Sequence, residues 1–390
     1  MPTRTAEMNG GQGALLDRLS IPEPRPGPVP KISGMKAVAS YNWKEGKNPV
    51  IIVPGSPPHW KPTQLPFTVG DDTDPEYINL NGAKSPSSAF EPLLRALQLT
   101  SPTYPLHQVD IVTDRNNLRK LLRWLSRAHD LTPFRIDAEL AGKGTVLLTR
   151  REERDVDLEA RFRGFGHNFA KSYDFGNLAM LVRSHIDAMD APPGPAAVED
   201  LTLRFEDLSV NLTAFSNPPS QLSYIKTGPP VVEAWKLMEI KTRAEWKRDS
   251  LDWDEIYPQL LLSGTPMLVL GLHQRGTFGT IEQIHVTEIA KKQSKTAEEA
   301  MKGLKAVLAE MKTGRKLAFV CDEQGEMKVY ERTVVDPKRE LAKELLERFW
   351  APEEEGDGES EEEEGEESED GADTSEFEEM VRREKAKCFE

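Results

Sequence analysis

The chain has 390 residues, of which 38% are hydrophobic, and a formal net charge of −15. Residues 351–390 hold 19 acidic and four basic residues, so residues 1–350 hold 46 of each and the whole charge belongs to the C-terminal segment. The neutral body leaves nucleic-acid binding open. Because no apolar run approaches the roughly 18 residues of a membrane-spanning helix, a helical membrane protein is excluded.

The N-terminal sequence and the cysteine content indicate a compartment. The first 15 residues contain no apolar stretch and a single arginine, so neither a secretory signal nor a transit peptide is expected. The only cysteines, Cys321 and Cys388, are too few for a disulfide framework. Both features favour a reducing compartment, and we expect a nuclear or cytoplasmic protein that does not bind membranes.

Composition divides the chain into three parts. Residues 1–33 contain the proline-rich stretch IPEPRPGPVP and are predicted to form a disordered arm. Residues 34–350 have a globular composition and predict one large domain. Residues 351–390 are acidic and poor in apolar side chains, which predicts a disordered tail. This tail competes for a basic groove as an internal polyanion, recruits a basic partner, or only solubilises the protein.

The predicted elements follow in chain order. Within residues 110–128, leucines at i, i+3, i+4 and i+7 predict an amphipathic helix with a basic outer face, capped by Thr113 or Asp114. The further predicted elements are strands over 176–189 and 231–242, a helix over 251–262, hairpins of MLVLGLHQ with TIEQIHVTEI and of KLAFVC with MKVYERTV, and helices over 295–312 and 338–350. Strands joined by hairpins predict an α+β fold with a mixed β-sheet core flanked by helices.

The triplet Glu239-Ile240-Lys241 is the sharpest local motif. On a strand, residues two apart project from the same face, so the carboxylate and the ammonium lie side by side. With a second acid from a neighbouring strand, for which Asp187 is the natural candidate, such a pair suits metal-assisted hydrolysis of phosphodiesters. The alternative is a solvated strand face, since the triplet recurs by chance in a chain that is 29% charged.

Several segments together indicate a family. They are VDIVTDRNNLRKLL (109–122), RGFGHNFAKSY (163–173), LVRSHID (181–187), LMEIKTR (237–243) and YPQLLLSGTPMLVLGL (257–272). Over about residues 35–335 the chain resembles a fungal branch of the DXO family of RNA 5′-end quality-control enzymes, within the PD-(D/E)xK nuclease superfamily. The resemblance implies metal-dependent hydrolysis of incomplete or non-standard RNA 5′ caps and 5′ triphosphates. One branch of the family also stabilises a nuclear 5′→3′ exoribonuclease, which is a possible partner.

The resemblance also implies roles for individual residues. The E-x-K motif is intact at Glu239 and Lys241, and Asp187 matches the family's metal-binding aspartate. The substrate-side glutamine of the family matches Gln259. An arginine that approaches the 5′ phosphate corresponds to Arg115, which would bind substrate.

Two positions depart from the family pattern. Ala170 and His185 stand where the family has glutamates, so two of four carboxylates are replaced. Mg²⁺ prefers hard oxygen ligands, whereas His185 suits Mn²⁺ or Zn²⁺ better; otherwise it is a strand histidine hydrogen-bonded to a neighbour. A site of Asp187, Glu239 and His185 is therefore expected to bind Mg²⁺ or Mn²⁺ weakly or not at all.

Two basic clusters are candidates for RNA contact. The first is the predicted helix face, and the second, which includes Arg243 as a substrate-binding residue, surrounds the E-x-K motif. Their members are Arg115, Arg119, Lys120, Arg123 and Arg127, and Lys241, Arg243, Lys247 and Arg248. Each cluster either lines a cleft that receives an RNA 5′ end or is an ordinary solvated face.

Two kinds of function stay open. In the first, the protein is a hydrolase that uses Asp187 and Glu239 for metal, Lys241 for the attacking water or the phosphate, and Gln259 to position substrate. In the second, it is a catalytically degenerate member of the same fold that acts as an RNA-binding protein or as an exoribonuclease partner.

Overall fold

The strands and helices come from a computed structural model of the chain. The structure describes residues 10–23, 26–46, 48–70, 76–77, 79–85, 88–129, 131–152, 156–157, 167–190, 213–214, 221–228, 236–333 and 341–350. The predicted acidic tail and the first nine residues of the predicted arm lie outside these ranges. None of the described helices is long and apolar enough to cross a membrane.

The described residues form the following strands and helices. The strands are β1 Gln12–Leu19, β2 Ile32–Trp43, β3 Val50–Val53, β4 Phe67–Thr68, β5 Glu76–Tyr77, β6 Ile111–Asp114, β7 Phe134–Ala141, β8 Thr145–Arg151, β9 Val156–Asp157, β10 His167–Phe175, β11 Ala179–His185, β12 Ala188–Met189, β13 Thr213–Ala214, β14 Ser223–Lys226, β15 Leu237–Ala244, β16 Met267–Gln274, β17 Thr277–His285, β18 Leu317–Cys321 and β19 Met327–Arg332. The helices are α1 Leu80–Lys84, α2 Glu91–Thr100, α3 Arg115–Leu125, α4 Trp253–Ser263, α5 Val286–Ala290, α6 Lys295–Met311 and α7 Lys343–Glu347.

The strands form two large sheets and one small one. The larger sheet has the order β1-β19-β18-β7-β8-β6-β11-β10-β2-β3-β14-β13, and the second has the order β12-β15-β16-β17-β4, while β5 and β9 pair by themselves. Both large sheets are mixed: in the larger one β6 runs parallel to β8 and β11 while most other neighbours are antiparallel, and in the second β15 runs parallel to β16 while β16 and β17 are antiparallel. This confirms the predicted α+β fold with a mixed-sheet core in a single large domain.

The larger sheet is covered by helices on both faces. Leu181 and Val182 of β11 project to opposite faces, as successive strand residues do. Val182 packs with Leu121 of α3 and with α6 on one face, and Leu181 packs with Leu345 of α7 and with α2 on the other. The second sheet packs on α4 and α5 through a separate core that contains Leu260, Leu270 and Ile289. Apolar burial between these helices and the sheets thus holds the layers together.

The N-terminal segment differs from the prediction of a disordered arm over residues 1–33. Gln12–Leu19 forms β1, which pairs antiparallel with β19, and Ile32 already begins β2. The backbone hydrogen bonds to β19 add a strand to the edge of the larger sheet. The signal in the sequence was the short run GALLD, which precedes the proline-rich stretch on which the prediction of a disordered arm rests.

The chain passes from the larger sheet to the second sheet at Asp187, which lies beside the E-x-K motif. β11 ends at His185 in the larger sheet, and Ala188 begins β12 in the second sheet, opposite Met238 of β15. Asp187 therefore lies in the two-residue connection between the sheets. The parallel strands β15 and β16 are joined by α4, with Glu239 in register with Leu268, so the motif strand and the following helix form one unit.

Candidate functional site at the junction of the sheets

Glu239 is the centre of the candidate site. It lies on β15 and its side chain is 7% exposed. One carboxylate oxygen, Oε2, accepts a hydrogen bond from Nη1 of Arg115 at 3.1 Å. The other, Oε1, accepts from the amide of Gln259 and lies 3.6 Å from Nζ of Lys241. Both oxygens of this buried acid are therefore bound by donors of the chain itself.

Asp187 lies beside Glu239, on the connection between the sheets. Its Oδ2 accepts a hydrogen bond from the backbone N–H of Ile240 at 2.8 Å, and its Oδ1 is 3.3 Å from Nε2 of His185. Because Ile240 lies between Glu239 and Lys241, this bond brings the aspartate to the E-x-K motif. The sequence prediction that Asp187 is the second acid is consistent with this geometry.

The two carboxylates titrate differently. Burial and, after it, the negative charge of Glu239 raise the pKa of Asp187 to about 6, against the lowering effects of the Ile240 N–H and of Arg115. Burial by itself would also raise the pKa of Glu239, but the charges of Arg115 and Lys241 together lower it. The site thus keeps Glu239 ionised near neutral pH, while Asp187 exchanges its proton in the mildly acidic range.

Gln259 is delivered to Glu239 by α4. This helix begins after Asp252, whose side chain accepts from the N–H of Glu255, and it ends at Gly264 in the left-handed conformation with a φ of 56°. Its C-terminal carbonyls, on Ser263 and Gly264, accept hydrogen bonds from the buried ammonium of Lys171. The helix that holds Gln259 is therefore fixed at both ends.

Arg115 is the first residue of α3, and a buried ion pair fixes the point at which that helix begins. Arg183 of β11 donates to both carboxylate oxygens of Asp114, at 2.6 and 2.8 Å. The same guanidinium contacts the carbonyl of Ala89 and lies 5.1 Å from the ring centre of Phe90. Asp114 precedes α3 as predicted, but its carboxylate binds Arg183 rather than a helix N–H.

A cavity of about 280 Å³ lies next to two residues that contact Glu239. Its lining includes Lys241 and Gln259, which both contact Glu239, together with Arg243 from the same strand and Asp252 and Glu255 from α4. Lys241 and Arg243 share one face of β15 because they lie two residues apart. The structure thus brings Arg115, Asp187, His185, Glu239, Lys241 and Gln259 together, and places Arg243 on the cavity wall.

The predicted basic face of α3 is not a free phosphate-binding surface. Arg119 and Arg123 pair with Glu255 of α4, at 3.5 and 2.7 Å, and Lys120 pairs with Glu152 at 2.8 Å. The face predicted to point to solvent or to RNA instead packs against a neighbouring acidic helix. The second cluster is freer: Arg248 pairs with Glu282 and Lys241 lies 3.6 Å from Glu239, whereas Arg243 and Lys247 form no ion pair with a residue that the structure describes.

The acids and His185 do not form a metal site in this arrangement. In the part of the chain that the structure describes, no three His, Cys, Asp or Glu residues come together as a group that could hold a metal ion. The oxygens of Glu239 are bound by Arg115, Gln259 and Lys241, and those of Asp187 by Ile240 and His185. A divalent cation would have to displace these donors, so the residues present do not fit one. The side chain of Ala170 lies outside the described residues.

Two parts of the site carry no local motif in the sequence. Lys171 lies in a strand whose local sequence gives no sign of a site. The pairing of Asp114 with Arg183 spans 69 residues. One signal was available for Arg183, which interrupts the apolar run AMLVRSH of β11. A charged residue inside a buried strand requires a buried partner.

Comparison with known proteins gives a family and a fold. A family model described as Domain of unknown function (DUF8563) matches residues 22–173 and 166–350. No curated protein matches the sequence. The structure of S. pombe Rai1 in complex with 3′-FADP is similar over 82% of this chain and 100% of its own length, with a TM-score of 0.52 and 10% identity.

A second solved structure is similar to the same extent. Rai1 of Scheffersomyces stipitis, in complex with (3′-NADP)+ and calcium ion, is similar over 87% of this chain and 98% of its own length, with a TM-score of 0.52 and 13% identity. At such identities the likeness shows the fold alone. The chain therefore has the Rai1-like fold that its resemblance to the DXO family implies.

Proposed function

The chain belongs to the family described as Domain of unknown function (DUF8563), and we propose that it is an RNA 5′-end surveillance protein that binds the 5′ phosphates of RNA in the cavity beside Glu239. It does so as a relative of decapping enzymes whose metal site has degenerated. The observation that carries the proposal is the set of chain donors around Glu239, because a carboxylate held by Arg115, Lys241 and Gln259 needs no metal ion.

The fold supports the choice of ligand. S. pombe Rai1 is in complex with 3′-FADP and Scheffersomyces stipitis Rai1 with (3′-NADP)+ and calcium ion. Both ligands join phosphate groups to nucleosides, as the 5′ end of an RNA with a phosphate or a non-standard cap does. We transfer to this chain only that class of ligand, a nucleoside with 5′ phosphates.

The cavity has cations for a phosphate, and of the two acids in its lining, Glu255 pairs with Arg119 and Arg123 while Asp252 caps α4. Arg115 offsets the negative charge of Glu239, which would otherwise repel an anion. Lys241 and Arg243 then face the cavity from one strand, and Arg243 forms no ion pair with another residue that the structure describes. A phosphate held by these two cations would gain charge-assisted hydrogen bonds. Arg115 acts by neutralising Glu239, in place of the direct phosphate contact that the resemblance implies.

The test compares two RNAs that differ only in the 5′ group. A fluorescent 5′-monophosphate RNA is expected to bind about tenfold or more tightly than its 5′-hydroxyl counterpart, since the phosphate gains charged contacts with Lys241 and Arg243. Arg243→Gln should reduce the difference. Arg18→Gln, at an exposed arginine of edge strand β1, is the matched control and should keep it. Equal binding of the two RNAs by the natural protein would refute the proposal.

Hydrolysis of the bound 5′ end is the second candidate function. It is favoured by the contacts that keep Glu239, Lys241 and Gln259 together beside the cavity. If the protein is a hydrolase, Mg²⁺ or Mn²⁺ should support product release from 5′-triphosphate or NAD-capped RNA, and Glu239→Ala should abolish it. The degenerate alternative predicts no turnover.

The replaced carboxylates give a second way to separate the two functions. Ala170→Glu combined with His185→Glu should create divalent-metal binding, measured by calorimetry, where the natural protein shows none. Tight metal binding by the natural protein would favour the hydrolase. A 5′→3′ exoribonuclease partner and a nuclear or cytoplasmic location stay predictions from the sequence, and a pull-down from extract with imaging of the tagged chain would test both.

A further inference from the structure

Trp246 is displayed to solvent next to the cavity. The residue is 80% exposed, more than any other large hydrophobic residue in the described part of the chain. It lies in the short 3₁₀ segment Glu245–Ser250, which directly follows β15. Arg243 of the cavity wall is only three residues away along the chain, which limits the separation of their Cα atoms to about 11 Å.

The exposure of Trp246 is built into the segment. On one side of the tryptophan, Gln274 donates to the carboxylate of Glu245 at 2.6 Å. On the other side, Arg248 donates to both carboxylate oxygens of Glu282, at 3.1 and 2.8 Å. The first contact ties the segment to strand β16 and the second ties it to strand β17, both in the second sheet. The indole is thus held outward by anchors on both sides. If the exposed ring had no role, a polar residue could occupy this position equally well.

A cation lies over this aromatic ring, and a second lies on the adjoining strand. Nζ of Lys247 lies 4.7 Å from the centre of the Trp246 ring, and Arg243 is exposed on the adjoining strand. An exposed aromatic face beside cations matches a single-stranded nucleic acid, whose bases stack on aromatic rings while its phosphates pair with basic side chains. An apolar protein surface would use the ring but leave the charges without partners.

We infer that Trp246 is a stacking platform for a nucleobase of single-stranded RNA downstream of the 5′ end held in the cavity. The inference rests on the proposed function, since the cavity places the 5′ phosphates and the tryptophan then receives a following base. Lys247 contacts a phosphate beside that base, while Arg243 stays with the terminal phosphate in the cavity. The site therefore recognises a short 5′-phosphorylated RNA strand in addition to a terminal nucleotide.

The test separates the 5′ end from the following nucleotides. The affinity of the full chain is measured for a 5′-phosphorylated mononucleotide and for a 5′-phosphorylated oligouridylate of five nucleotides. Trp246→Ala should weaken binding of the pentanucleotide by about 5- to 100-fold, the effect of losing one stacked base. Binding of the mononucleotide should not change, and Trp246→Phe should restore most of the loss. Trp350→Ala, at a second exposed tryptophan, is the matched control.

The outcomes distinguish failure of the proposed function from failure of the stacking platform. If the natural protein binds neither ligand, the proposed function and this inference both fail. If it binds the pentanucleotide and Trp246→Ala binds it equally well, only the stacking platform is refuted. Loss of a co-purifying protein in Trp246→Ala, with RNA affinity intact, would assign the tryptophan to a protein surface and overturn the inference.

Discussion

Arg183 and Asp114 form a buried bidentate ion pair that joins strand β11 to the start of helix α3, with distances of 2.6 and 2.8 Å. The pair is almost completely enclosed, at 3% and 8% residue exposure. Its position matters because the next residue, Arg115, holds Glu239. The geometry of the candidate site therefore depends on a contact that touches neither the cavity nor Glu239.

Removing one partner of this pair should be costly. Arg183→Met leaves the carboxylate of Asp114 buried and uncompensated, and it should lower the free energy of unfolding in urea by about 3–5 kcal/mol. Adding Asp114→Asn should recover part of the loss, because the remaining buried group is then neutral. The control is Arg18→Met, which breaks the exposed pair with Glu326 and should cost under about 1 kcal/mol. Similar losses for the two single variants would contradict the role assigned to the buried pair.

The closeness of the two site carboxylates can be tested by titration. Burial and the charge of Glu239 raise the pKa of Asp187 to about 6. Glu239→Gln removes the second cause and keeps the first, so the pKa of Asp187 should fall but stay above its usual value. Carbon-detected NMR of ¹³C-labelled aspartate would follow it. A pKa of Asp187 that does not move in the variant would show that the two carboxylates do not interact.

The buried ammonium of Lys171 predicts an unusual dependence of stability on pH. Burial and, after it, the charge of Arg115 lower its pKa from 10.5 to about 7. In the unfolded chain the lysine keeps its proton up to about pH 10. Between about pH 7 and pH 10 the unfolded chain therefore binds more protons, and stability should rise with pH by up to about 1.4 kcal/mol per unit.

Urea unfolding between pH 7 and pH 10 checks this slope. Lys171→Met should remove the contribution of that group, whereas Lys36→Met, at an exposed lysine of β2, should leave the slope unchanged. The prediction fails if both variants keep the slope of the natural protein.

The two basic clusters should differ in their effect on RNA affinity. Arg119 is paired with Glu255 across α3 and α4, so Arg119→Ala should leave RNA affinity unchanged. Lys247 is exposed beside Trp246, and Lys247→Ala should weaken binding and reduce the slope of log affinity against log salt by about 1. Fluorescence anisotropy at several salt concentrations measures both. A smaller slope for Arg119→Ala would contradict this prediction and show that the basic face of α3 contacts RNA.

The sequence predicted the parts of the fold and site that follow from local patterns. The E-x-K alternation placed Glu239 and Lys241 on one strand face, and the leucine spacing predicted α3. The place of Asp187 at a strand end made it the second acid, the resemblance added Gln259, and the structure brings both to Glu239. Apolar-rich segments with turn signals predicted the helix that ends at Gly264 and both hairpins, although residues 286–289 of the first hairpin form α5.

What the sequence did not predict depends on contacts between distant segments. The leucines of α3 indicate one buried face, but nothing near them shows that Glu255 would cover the opposite one. The edge strand β1 exists because β19 offers it backbone partners. Lys171 reaches the end of α4, 92 residues away. Such pairings are specified by tertiary packing, which local propensity does not encode.

The central claim is that donors of the chain hold Glu239 in place of a metal ion and leave the cavity able to bind a 5′ phosphate. The most direct measurement is the dissociation constant of a 5′-phosphorylated RNA in EDTA and in Mn²⁺, at constant ionic strength so that screening is equal. The account predicts the same affinity, within about twofold, under both conditions. Binding that appears only with Mn²⁺ and is lost in EDTA would contradict it.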